Sequence, residues 1–97
     1  MAAPRPPAVA TAQIDNERTR VTHWRFAPGA ETGWHRHGMD YVVVPVTDGS
    51  LLLELPDGST VTSQLVAGRS YARPAGVEHN VVNASGHEIA FIEIELK

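Results

Sequence analysis

The stretch GWHRHGMDYVVVPVTDG, Gly33 to Gly49, sets two histidines one residue apart just ahead of an apolar, β-branched run. In a strand, positions i and i+2 share a face, so His35 and His37 point together while Arg36 points away. Two imidazoles about 7 Å apart at Cα can converge on one metal ion with bonds of about 2.0–2.1 Å. The pair alone is equally the pattern of two strand-end histidines making ordinary hydrogen bonds. Behind it, DYVVVPV reads as a strand. Pro45 within it marks an edge, a bulge or a sheet corner, because proline in a central strand loses a ladder hydrogen bond.

Working outward, almost every segment carries a strand signal. SLLLEL follows directly on Asp48-Gly49, which predicts a hairpin across that turn. PDGS at 56–59 is a second tight turn, leading into TVTSQLV. SYARPAG, EHNVVNA and HEIAFIEIEL complete the C-terminal half, and RVTHWRFAPG precedes the histidine pair. No window offers a 3.6-residue period with caps, so helix is expected to be nearly absent. Seven or eight short strands separated by Gly, Pro, Asn and Asp predict an all-β sandwich or barrel. Residues 1–12, rich in Ala and Pro, are expected to form a mobile arm ahead of a single domain at 13–97.

Composition narrows the function. A chain of 97 residues fits one domain with a modest core, which pairing with a second copy would enlarge. Eight Lys and Arg against eleven Asp and Glu give a net charge of −3, unlike the concentrated basic face that nucleic acid or an anionic membrane needs. There is no cysteine, which removes disulfides, thiolate catalysis, iron–sulfur clusters and thiolate zinc sites and suits a reducing compartment. The N-terminal MAAPRPPAVATA lacks a signal-peptide core, and no apolar run approaches the roughly 20 residues of a spanning helix. The expected setting is cytoplasmic, with no membrane and no nucleic acid as partner.

A second motif lies downstream. GRSYARPAGVEHNVVN runs Gly68, five residues, Pro74, one residue, Gly76, two residues, His79, three residues, Asn83. The first motif runs Gly29, five residues, His35-x-His37, then the strand to Gly49. With both in order, the chain from about residue 20 to 96 resembles a small single-domain cupin of the conserved-barrel type. Some cupins of that kind carry a label connecting them with β-alanine breakdown. The resemblance implies a double-stranded β-helix, or jelly-roll, barrel that holds one divalent metal in its mouth. Carried over residue by residue, the metal ligands are His35, His37 and His79. Imidazole ligands leave Fe, Ni, Zn, Cu and Mn all open.

This sequence departs from the cupin pattern at one place. A glutamate ligand usually follows H-x-H by three or four residues, and Tyr41 and Val42 stand there instead, the spacing to Gly49 putting the slot on Val42. The nearest carboxylate is Asp40. Three arrangements follow: a plain three-histidine site, direct ligation by Asp40, or Asp40 holding a bound water or orienting a histidine. Its short side chain favours the last. Some cupin oxygenases hold iron with three histidines, so a dioxygenase is the leading enzymatic class, with lyase or isomerase chemistry beside it. A non-catalytic module that binds or senses a small molecule is the alternative.

Several further residues complete the expectations. Arg73 and Tyr71 share a face leading into the second motif. If that face lines the barrel, Arg73 holds a substrate carboxylate; if not, it lies on the outer surface paired with a glutamate. In the last strand Ala90, Ile92, Ile94 and Leu96 form one face, and Phe91, Glu93 and Glu95 the other. Glu93 then points into the barrel mouth, or the strand lies at a dimer edge; the edge is the preferred reading. Tyr41 faces away from Asp40 and is expected to pack rather than ligate. His23 and His87 are expected to be structural or exposed. The expected partners are a small-molecule ligand or substrate and a second copy of the chain.

Overall fold

The computed structural model describes residues 4–97. Nine strands are β1 (Val9–Asp15), β2 (Thr19–Phe26), β3 (His35–Arg36), β4 (Asp40–Pro45), β5 (Gly49–Glu54), β6 (Thr60–Leu65), β7 (Tyr71–Arg73), β8 (Glu78–Asn83) and β9 (Ile89–Leu96). No helix occurs among the described residues. The strands form two antiparallel sheets, β1-β2-β9-β4-β7 and β3-β8-β5-β6. The inner faces meet over Phe26, Tyr41, Val43, Leu51, Leu65, Val81, Ile89 and Phe91, the all-β barrel expected from the strand pattern.

Alternation decides which face each strand buries. In β4, Tyr41, Val43 and Pro45 are buried while Asp40 is exposed and Val42 and Val44 are half-buried. Phe26 and Phe91, 5.4 Å apart between ring centroids, pack beneath them. Truncating either ring to alanine is expected to cost about 3–5 kcal/mol.

The Asp48-Gly49 turn is not the hairpin expected from sequence. β4 pairs with β7 and β9, whereas β5 pairs with β6 and β8, so the chain crosses between sheets there. Pro45 ends β4 at this corner, fully buried, where its missing N–H disturbs little. Val46 and Thr47 then donate their N–H groups to Ala90 O. Gly49 has extended backbone, and its need is spatial: a Cβ there would lie 2.6 Å from Ile89 Cγ2 and 2.9 Å from Ser85 Oγ. The PDGS turn does close a hairpin, β5 to β6, with Gly58 at φ +85° and Asp57 Oδ1 accepting from Ser59 N–H.

The N-terminal segment corrects a second expectation. Residues 1–3 lie outside the description, but Val9–Ala12, expected within a mobile arm, belong to β1 and pair with β2. Ala8 N–H donates to Glu31 O and Glu31 N–H to Pro6 O. The segment therefore links the edge beside β3 to the edge at β2. Every β1 side chain is exposed, so backbone pairing holds the strand and no buried face marks it in the sequence. Likewise β9, preferred as a dimer edge, is central in its sheet, between β2 and β4.

Candidate metal centre and adjoining cavity

β3 is only two residues long, yet it pairs His35 directly with His79 of β8. His37 lies just beyond β3. Its N–H donates to Val77 O (2.8 Å) and its carbonyl accepts from Gly76 N–H (2.7 Å), so the loop of the second motif grips the end of the first. The three side chains converge through one kind of atom. Nε2 of His35 and His37 are 3.0 Å apart, and Nε2 of His37 and His79 are 3.2 Å apart.

The tautomer of His35 follows from its other nitrogen. Nδ1 lies 2.9 Å from Gly33 O, which can only accept, so Nδ1 carries the proton and Nε2 presents its lone pair. Burial, then the nearby His35, pulls the His37 pKa down to about 4. Burial, then His35, His37 and Arg73, brings His79 to about 4 as well. Both rings are neutral near pH 7. Clustered imidazole lone pairs repel unless a proton or a cation lies among them. Bonds of about 2.0–2.1 Å at right angles to one ion would put ligand nitrogens about 3 Å apart. The donor set fits a single divalent ion, and His35, His37 and His79 form the group able to gather one among the described residues.

Neighbours hold these rings in place. The Tyr41 ring stacks on His37, 3.8 Å between centroids and 17° from parallel. Asn80 is buried beside His79; its Oδ1 accepts from Gly33 N–H (3.0 Å), and its Nδ2 donates to Glu31 and Glu54, both at 2.8 Å. Arg5 pairs with the same two carboxylates, tying the N-terminal segment to the loop before His35.

Asp40 does not join the histidine cluster. Its Oδ1 accepts from Ala75 N–H at 2.7 Å, and the residue is exposed. That oxygen is thereby tied to the 74–77 loop that grips His37, and no imidazole among the described residues contacts Asp40. Val42, counted as the vacant glutamate slot, is on the outer face, and the inward position is Tyr41. Burial, then Glu93 and Tyr71, pushes the Tyr41 pKa up to about 12, so it stays a phenol.

A small cavity of about 30 Å³ adjoins His35 and His79. Val43, Leu51, Leu53, Val81 and Phe91 give it apolar walls, and Trp24, Tyr41, Tyr71, Arg73 and Glu93 add polar groups from the five-stranded sheet. Register explains their grouping. Arg20, Glu95, Tyr41 and Arg73 form one inward row across β2, β9, β4 and β7, and Thr22, Glu93, Val43 and Tyr71 form the next. Arg73 stacks over the Tyr71 ring at 4.8 Å. Burial, then Glu95, raises the Glu93 pKa to about 7, while the nearby Trp24 indole works the other way. Trp24 Nε1 is buried with no hydrogen-bond partner.

The structure brings His35, His37 and His79 together, and brings Arg73, Tyr71 and Glu93 into the cavity beside them. Sequence reasoning placed Glu93 and Glu95 on one face of the last strand but did not bring Trp24 or Tyr41 to that face. The register of β2 and β4 against β9 does so, and short strands give no means of assigning register from sequence alone. His23 sits mid-strand in β2, and exposed His87 has its Nε2 2.9 Å from Asp48 O.

Comparison with known proteins agrees with this architecture. The chain matches the Cupin_2 family, described as "Cupin domain", over residues 22–95. It is 66% identical over 93 residues to the β-alanine degradation protein BauB of Pseudomonas aeruginosa, covering 96% of this chain and 97% of that protein. The crystal structure of a cupin domain from Bordetella pertussis Tohama I is also 66% identical, with a TM-score of 0.95 and 99% of each chain covered. The polyketide cyclase RemF from Streptomyces resistomycificus shares the fold alone, at 23% identity and a TM-score of 0.71, over 97% of this chain and 70% of that one.

Proposed function

This chain belongs to the cupin family, and we propose that it holds one divalent metal ion on His35, His37 and His79 and presents it to a small polar molecule in the adjoining cavity. The observation that carries the reading is the convergence of three Nε2 atoms, with neighbours 3.0 and 3.2 Å apart and His35 Nδ1 turned away toward Gly33 O. Three protein ligands leave coordination positions open, and a bound ion there would act as a Lewis acid or a site for oxygen. The chain's own residues do the rest. The aliphatic walls exclude water, Tyr41 keeps the His37 ring oriented, and Glu93 and Arg73 offer polar contacts to the bound molecule. Dioxygenase chemistry is the leading class, with lyase or isomerase chemistry beside it, and the name of the 66%-identical Pseudomonas relative makes β-alanine breakdown the proposed setting.

The metal is Fe, Ni, Zn, Cu or Mn, the set that imidazole ligands accept. The proposed location is the cytoplasm. A second copy of the chain is the proposed partner, seated on the outer face of the five-stranded sheet. There Val21, Ile92, Ile94, Val42 and Val44 form an apolar surface with Leu96 at its margin. Sedimentation should give twice the chain mass in the wild type and half that value when Ile94 is replaced by Lys.

A non-catalytic binding or sensing role is the second reading, favoured by the absence of any carboxylate from the histidine cluster. The test is titration of metal-stripped protein with Fe(II), Zn(II), Mn(II) or Ni(II). Wild type should take up one ion per chain, while His79→Ala should lose affinity by at least about two orders of magnitude. Unchanged uptake in a folded His79→Ala protein contradicts the site. Metal uptake without turnover or oxygen consumption on short amino acids and their oxo-acids favours the binding role.

A further inference from the structure

The face of β8 turned away from the histidines carries a polar cluster. Asn80 follows His79, and alternation sends its side chain to the opposite side of the strand. It is buried with its amide fully engaged: Oδ1 accepts from Gly33 N–H, and Nδ2 donates to Glu31 Oε1 and Glu54 Oε1. Two carboxylates drawn to one amide nitrogen repel each other. Arg5 answers both, with Nη1 2.9 Å from Glu54 Oε1 and 3.3 Å from Glu31 Oε1. Backbone bonds dock the same segment, Ala8 N–H to Glu31 O and Glu31 N–H to Pro6 O.

The other end of the cluster reaches His35. Gly33, at φ +86°, adopts a left-handed conformation suited to glycine, and its two backbone groups are held separately. Its N–H is taken by Asn80, while its carbonyl accepts from His35 Nδ1 and from Thr32 Oγ1, both at 2.9 Å. That carbonyl decides which ring nitrogen of His35 keeps the proton. Another acceptor stands close by, Thr32 Oγ1 at 3.3 Å from Nδ1, so a small rotation at Gly33 would exchange one partner for the other. Glycine does not resist such a rotation by itself, and its restraint comes from these bonds.

From this chain of contacts we infer that Asn80 is a positioning residue for His35, and that Arg5 completes it from the N-terminal segment. Asn80 holds Gly33, Gly33 holds the imidazole with Nε2 facing the other two histidines, and Arg5 keeps both carboxylates on Asn80. Neither Asn80 nor Arg5 belongs to the histidine cluster or lines the cavity. The inference rests on the three-histidine reading of the site and adds the start of the chain to its support.

Two readouts on the chelator-treated chain test it. One is the tautomer of His35, from long-range proton–nitrogen NMR spectra of the imidazole at mildly alkaline pH; the other is affinity for added Zn(II). Wild type should show a single His35 form with the proton on Nδ1. Asn80→Ala should mix the two tautomers and bind Zn(II) about 10–100-fold more weakly. Arg5 is exposed, so Arg5→Met tests the same chain of contacts with the fold intact. It should weaken Zn(II) binding about threefold and move the His35 signals in the same direction, and Arg5→Lys should restore part of both. Arg25→Met breaks an exposed ion pair on the other sheet, Arg25–Glu88 at 3.1 Å, and should change neither readout. An unchanged His35 tautomer in folded Asn80→Ala overturns the inference, as does Arg5→Met behaving like Arg25→Met in both readouts. Failure of wild type to take up Zn(II) counts against the metal centre instead, and the tautomer shift still decides the role of Asn80 and Arg5.

Discussion

The two walls of the cavity carry opposite chemistry and answer to one physical cause. β3 and β8, with the residue just after β3, supply three imidazoles, and burial strips the protons from His37 and His79. The facing five-stranded sheet supplies a carboxyl group and phenols, and burial keeps the protons on them. One physical cause, the cost of a charge in a dry enclosure, lowers base pKa values and raises acid ones. His37, His79 and Tyr41 are therefore neutral near pH 7, and Glu93 ionises late. A cation suits the imidazoles, and a polar ligand suits the acid and the guanidinium at the exposed rim.

The largest effect that would break this division concerns the metal. His37→Ala should abolish stoichiometric metal uptake, while Glu93→Gln, on the other wall, should leave uptake unchanged. Titration of both variants with Zn(II) checks this, and equal losses would merge the two walls into one site.

The next effect is on packing at the seam. Tyr41 belongs to the five-stranded wall but stacks on a histidine of the other. Tyr41→Ala should cost about 3–5 kcal/mol in chemical denaturation and weaken metal binding as well. Tyr41→Phe keeps the ring and should change stability by about 1 kcal/mol or less, with metal uptake retained.

A smaller effect is the pH dependence of the metal-free protein, and the two walls have opposite signs. His37 and His79, moved from 6.5 to about 4, take up protons in the unfolded chain but not in the native one across that window. They therefore remove stability as pH falls through it. Glu93, moved from 4.5 to about 7, keeps a proton in the native state that the unfolded chain has released, so it removes stability as pH rises from 4.5 to about 7. Glu93→Gln should melt higher than wild type by a few degrees at about pH 8, with the gap closing toward about pH 5. A gap that widens on acidification would reverse the assignment.

The smallest effect is expected at Asp40, which touches neither wall's chemistry. Asp40→Ala leaves the exposed Ala75 N–H to water and should cost about 0.5 kcal/mol. Metal affinity should fall only modestly, through loosening of the 74–77 loop. Loss of the metal altogether would mean that Asp40 acts at the ion itself.

These contrasts also explain what the sequence could reveal. The four-stranded wall was legible because its chemistry is local: H-x-H lies within three residues, and the Pro74–Gly76–His79 spacing marks the loop that meets it. The five-stranded wall was harder because its members come from β2, β4, β7 and β9, and only inter-strand register makes Trp24, Tyr41, Arg73 and Glu93 neighbours. Within β4 a single step decided the outcome, since alternation turned Tyr41 inward and left Asp40 and Val42 outside. The Asp48-Gly49 turn misled for a related reason. A tight-turn dipeptide joins a hairpin or a sheet corner equally well, and the buried Pro45 and crowded Gly49 marked the corner. β1 left no pattern at all, because a strand held by backbone pairing with every side chain exposed has no buried face to alternate with.

The most direct test of the account is an element-resolved anomalous difference map from crystals of the natively purified protein. The account predicts one strong peak per chain within bonding distance of Nε2 of His35, His37 and His79, absent in crystals of His79→Ala. A fully refined wild-type map with a water among the three rings, or a peak ligated by Asp40 or Glu93 in their place, would contradict it.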